Sequence, residues 1–103
     1  MTTTMEAVFN GVVLARSDHT VRVEGNVYFP PDSVAWQHLT PTRARSLCFW
    51  KGVAGYFTAT VGGATSRNAA WTYRHPSPLA RWIKNHVAFW NDVQVRPVFG
   101  RKR

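Results

Sequence analysis

The only cysteine of the chain, Cys48, stands three residues before a lysine in Cys48-Phe49-Trp50-Lys51-Gly52. A cation beside a thiol favours the thiolate, which is the nucleophilic form. In a regular strand, residues three apart point to opposite faces. A Cys48–Lys51 pair therefore needs a bend, and Gly52 is the residue able to supply one. Without the bend, Cys48 reads as a buried, inert thiol. Lys51, between Trp50 and Gly52, reads either as an anion ligand or as a lysine snorkelling from a strand edge. Glu24 is one of only five acids. It is a partner for Lys51 or an arginine, or else a ligand contact or general base. Tyr28, Tyr56 and Tyr73 each offer a ring and a hydroxyl, for a ligand or for the core.

Other chemistries find no residues to carry them. One cysteine and four histidines cannot build a structural zinc site, and His19, His38, His75 and His86 lack metal-ligand spacing. No metal and no cofactor is expected. One cysteine also excludes an internal disulfide framework. No D-x-D pair and no P-loop lysine motif is present.

The elements that must position these groups are mostly strands. Asn10-Gly11, between apolar runs, is the preferred pair for a type I′ hairpin turn. Val21–Phe29 reads as two strands bent around Gly25-Asn26, stopped by Pro30-Pro31. Asp32 is a cap for one short turn over Ser33–Trp36. Gln37–Arg45 reads as a loop or edge strand, and Asn68–Tyr73 as a further strand. Ser77 as N-cap and Pro78 at the first helical position predict one short helix, with Leu79, Trp82 and Ile83 on its apolar face. Val87–Trp90 and Val93–Val95 read as closing strands around Asn91-Asp92.

With Gly62-Gly63 as a two-residue turn, the register pairs Thr58 with Arg67, Tyr56 with Ala69, Ala54 with Trp71 and Gly52 with Tyr73. One face then carries Tyr56, Thr58, Trp71 and Tyr73 beside the small residues Gly52 and Ala54. The other carries Val53, Phe57, Ala59, Val61 and Ala70 and is core-like. The first face is a ligand wall or a second buried layer; a bulge would shift the register.

Several motifs in order resemble one family. Cys48-x-Trp50-Lys51-Gly52-x-Ala54-x-Tyr56 resembles the central motif of the domain of unknown function 427 family. Glu24-Gly25-Asn26, Tyr28–Val34, Asn68-Ala69-Ala70-Trp71-x-Tyr73 and Val87-Ala88-Phe89 resemble its other segments, over about Val21 to Val95. Two positions depart from the pattern. Phe49 stands where the family commonly has proline after the cysteine, and Arg74-His75 precede Pro76 where proline commonly follows the tyrosine. The rim of any pocket is therefore expected to differ from that of relatives. The resemblance implies a mostly antiparallel β domain, similar to tent-like β folds that include zinc-binding relatives. It also implies the label nucleotidyltransferase, a reaction that normally relies on carboxylates to hold Mg²⁺ against phosphates.

The whole chain, 103 residues, is expected to be one mainly β domain. Its form is a compact antiparallel sheet, tent-like or barrel-like, with one short helix. The net charge is +8, of which residues 52–103 carry +7 (eight Lys/Arg, one acid), and 100–103 form a basic C-terminal tail. Such a balance points to anionic partners. No apolar run approaches the ~18 residues of a membrane span, and the start lacks a signal-peptide pattern. A cytoplasmic protein with no membrane partner is expected. The leading expectation is a small anionic or nucleotide-like ligand, bound by Glu24, Tyr28, Cys48, Trp50, Lys51, Tyr56, Trp71 and Tyr73. The alternatives are an enzyme using Glu24, Cys48 or Lys51, and a nucleic-acid binder using Arg67, Arg74, Arg81 and Lys84.

Overall fold

The computed structural model describes residues 3–99; the basic tail at 100–103 lies outside them. Nine strands are present among the described residues: β1 Thr4–Phe9, β2 Val12–Ser17, β3 Val21–Val23, β4 Asn26–Tyr28, β5 Leu39–Cys48, β6 Gly52–Val61, β7 Ala64–Thr72, β8 Val87–Phe89 and β9 Gln94–Val98. All pairings between these strands are antiparallel. They form a three-stranded sheet in the order β2-β1-β9, a two-stranded ribbon β3-β4, and a four-stranded sheet β5-β6-β7-β8. Among the described residues the sheets do not close into the barrel-like form that was the alternative expectation. No helix among the described residues is long and apolar enough to cross a membrane.

Turn chemistry places the hairpins. Asn10 and Gly11 both adopt left-handed φ, at 50° and 79°, as a type I′ turn requires. The β3–β4 turn falls on Glu24-Gly25, one residue earlier than Gly25-Asn26, with φ of 54° and 82°. Asn10 Nδ2 donates to Val61 O at 3.1 Å, tying the first hairpin to the end of β6. Backbone bonds between Phe29 and Val87 stitch the ribbon to β8. The strands around Asn91-Asp92 do not pair with each other: β8 joins β7, and β9 crosses to β1.

Two apolar layers result. The larger packs Phe9, Leu14, Phe29, Phe57, Val87 and Phe89 between the sheets. The smaller packs Tyr28, Ala54, Trp71, Tyr73 and Ala88 under Ala80 and Ile83. These last two sit on a 3₁₀ helix, Pro78–Ile83. The expected apolar face of Leu79, Trp82 and Ile83 is corrected here. The segment is two 3₁₀ turns joined at a kink at Ala80 (φ −126°, ψ 23°), which leaves Ala80 and Ile83 buried while Leu79 and Trp82 are exposed. Ser77 makes no side-chain cap; its hydroxyl donates to the Trp50 carbonyl and its N–H to Lys51 O. Asp32 likewise makes no side-chain cap: it lies inside a 3₁₀ turn, Pro31–Ser33, and a second such turn covers Trp36–His38.

Candidate functional site

The segment Phe49–Lys51 is the turn of a hairpin, because β5 ends at Cys48, β6 starts at Gly52, and the two residues face each other. The chain bends where an uninterrupted strand would have separated Cys48 from Lys51. Gly52 takes φ 116°, and a Cβ there would meet His75 O at 3.3 Å. Only glycine fits that conformation without strain.

The turn swings Lys51 inward, where it is 4 % exposed. Its ammonium pairs with Glu24 and lies over the rings of Trp50, at 5.0 Å, and Tyr73, at 5.8 Å. Trp50 Nε1 donates to the other Glu24 oxygen at 3.1 Å. Tyr28 accepts from Trp71 Nε1 at 3.2 Å and meets that ring edge-on. Tyr56 stands 6.4 Å from Trp71. The eight residues singled out in the sequence thus form one connected set. Within it Tyr28, Lys51, Trp71 and Tyr73 are buried, and Cys48, Trp50 and Tyr56 are half-buried.

Electrostatics follow from this packing. The Lys51 and Trp50 donors hold the Glu24 carboxyl below its ordinary value. Burial pushes the Lys51 ammonium down, but Glu24, Cys48 and the two tyrosines more than offset it, so it titrates above an ordinary lysine. Burial raises Tyr28, and pushes Tyr73 up to about 12. Burial also pushes the Cys48 thiol up. The backbone N–H groups of Lys51 and Trp50, with the Lys51 ammonium, outweigh that and leave it lowered. This cluster binds its own charges to one another and leaves Lys51 little access to solvent.

Open space lies elsewhere. A groove of about 480 Å³ is lined by Pro41, Thr42, Arg45, Gly52, Val53, Gly55, Tyr56, Phe57, Thr72, Arg74 and His75. Of the eight sequence candidates it includes only Tyr56. Its basic groups are Arg45, Arg74 and His75, and no acid lines it. Two bulges shape this part of the sheet. Between Pro41↔Phe57 and Arg45↔Gly55, three residues of β5 oppose one of β6. Between Phe57↔Ala70 and Ala59↔Ser66, three residues of β7 oppose Thr58. The second bulge corrects the expected register: Tyr56 opposes Trp71, not Ala69. A shift of two residues keeps Trp71 and Tyr73 on the Tyr56 face. Asn68 supplies the left-handed residue, at φ 53°. Its Oδ1 accepts from Thr42 Oγ1 at 2.7 Å, joining the two bulges across β6. Bulges bend and twist a strand, and the one in β5 precedes Arg45, which lies over Gly55, where an added Cβ would lie 3.6 Å from Arg45 Nη1.

Arg45 and His75 were in none of the binding sets read from the sequence, and Arg74 only in the alternative basic set; Arg45 lies on β5 while Arg74 and His75 follow β7, so no motif joins them. The one signal was Arg74-His75 standing where the family commonly has proline. Among the described residues no group of three or more His, Cys, Asp or Glu side chains could hold a metal.

No curated protein matches this chain. A family model described as "Domain of unknown function (DUF427)" matches residues 1–99. That span contains every motif and every strand described above, and the chain belongs to the DUF427 family.

Proposed function

We propose that this domain binds a small anionic molecule with an apolar part, in the groove beneath Arg45. The observation that carries the reading is the lining: three basic side chains and no acid around a mostly apolar concavity. Arg74 and Arg45 have no carboxylate partner among the described residues. Arg45 is oriented instead by the carbonyls of Thr42 and Ala44. A guanidinium so held offers its remaining donors to a carboxylate or phosphate. Val53 and Phe57 give an apolar floor, and Gly55 leaves the space open. In this reading the Glu24–Lys51 cluster positions the site: it fixes the Phe49–Lys51 turn from which β6 begins.

A thermal-shift screen of nucleoside monophosphates and acidic metabolites tests this. A ligand at a hundred times its Kd stabilises the fold by about 2.7 kcal/mol. The expected outcome is stabilisation of the wild type and none of an Arg45→Gln/Arg74→Gln variant. If no anion stabilises the wild type, or the variant responds equally, the reading fails.

A second reading, an enzyme with Cys48 as nucleophile, is favoured by one observation, the lowered thiol beside Lys51. Iodoacetamide decides it: alkylation well below the ordinary thiol pKa of ~8.5 supports a thiolate. A rate no faster than that of a buried thiol removes the reading.

A further inference from the structure

The groove continues past Thr72. A second hollow of about 340 Å³ shares Phe57, Thr72 and Arg74 with it and extends to Pro31, Trp36 and Asn85. Its wall is an aromatic platform. Trp36 meets Phe57 in a T-shaped contact at 5.6 Å, and Trp36 Nε1 donates to Pro31 O at 2.9 Å. The ring is therefore held at one edge and against one neighbour, yet Trp36 is 40 % exposed. Asn85 stands at the rim in a left-handed conformation, its N–H fixed on Tyr73 O. Its side-chain amide makes no hydrogen bond among the described residues. The Thr72 hydroxyl is already committed to His86 O, at 2.7 Å.

One depression thus has two chemically distinct parts joined at Arg74. One is basic. The other offers a fixed, exposed indole and a free amide, with Arg74 its one charged group. A bare inorganic anion would use only the first and leave the apolar wall wet. A planar ring would cover that wall, and a ring heteroatom would complement the amide, which both donates and accepts. Building on the reading of the groove as an anion site, we propose that the two hollows form one site for an aromatic oxyanion. The ring stacks on Trp36, and the phosphate or carboxylate binds Arg74 and its basic neighbours.

The test compares four probes by calorimetry: inorganic phosphate, adenosine, adenosine monophosphate and benzoate. The expected result is that at least one ring-bearing anion binds about tenfold or more tighter than phosphate and adenosine, the scale of one stacked ring. Which of the two wins separates a nucleotide from an aromatic carboxylate. Trp36→Leu is expected to remove that advantage while leaving phosphate binding unchanged. As a second readout, the tighter ring probe quenches wild-type tryptophan fluorescence, and Trp36→Phe loses that quench. Phosphate binding as tightly as both ring-bearing anions, adenosine matching adenosine monophosphate, or an unchanged Trp36→Leu variant overturns this inference alone. Failure of all three anions to bind overturns the anion site itself.

Discussion

Glu24 occupies the first position of a left-handed turn, at φ 54°, where asparagine or glycine is the usual occupant. The local preference is sacrificed for what the side chain does there, which is to hold Lys51 and Trp50. Glu24→Gln should therefore lower the urea midpoint, since a buried ammonium loses its carboxylate. Glu24→Asn should do the same although asparagine suits the turn better; a rise in either midpoint would show that the pair does not stabilise the fold. The pH dependence has a definite sign. Glu24 titrates below its ordinary value, so its contribution is present above pH ~4.3 and is lost as pH falls through its folded value. Lys51 titrates high, so its contribution is present below pH ~10.4 and is lost as pH rises through its folded value. Tyr73, at about 12, ionises first in the unfolded chain, near pH ~10, and stability falls across that interval. Urea midpoints are expected to be level near neutrality and to drop on both sides. Tyr73→Phe should shallow the alkaline drop and shift neutral stability by less than about 1 kcal/mol. The importance of Glu24 and Lys51 was legible in their types and in the family motif. Their pairing was legible too, as one of the partners the sequence offered Glu24; the inward placement of Lys51 was not, because it depends on a hairpin turn rather than on strand alternation.

At the scale of elements, the β1–β2 and β6–β7 hairpins were written in Asn10-Gly11 and Gly62-Gly63, the β3–β4 turn fell one residue from the expected pair, and the two faces of β6 were written in alternation. What alternation could not reveal was the pair of bulges. Asn68 sits in a run that reads as plain strand, and only its left-handed φ and its bond to Thr42 mark the insertion. The Pro78–Ile83 helix was found in place but not in kind. A proline at the first position suits both helix types, and the kink at Ala80 that decides which residues are buried has no mark in the sequence. Two substitutions probe these devices. Gly52→Ala should cost about 1–3 kcal/mol, from a φ alanine rarely adopts and from contact with His75 O; a neutral midpoint would contradict the tight turn. Gly55→Val meets Arg45 only at ordinary contact distance and suits a strand. It should fold normally and fill the groove, abolishing ligand stabilisation; normal binding would place the ligand elsewhere.

The whole molecule is closed by its described ends. Arg96 on β9 donates to Glu6 on β1 at 2.8 Å, with Glu6 8 % exposed. Arg96→Ala strands that carboxylate and should cost about 1–3 kcal/mol by urea denaturation. Once closed, the fold separates two charged features. The acids Glu6 and Glu24 are spent on internal pairs, whereas Arg45, Arg74 and His75 line open space. The most direct test of the central claim is an amide chemical-shift titration with adenosine monophosphate. The account predicts saturable shifts centred on Gly52–Phe57 and Thr72–His75, absent in Arg45→Gln/Arg74→Gln. Shifts centred on Glu24 and Lys51, or none that saturate, would contradict it.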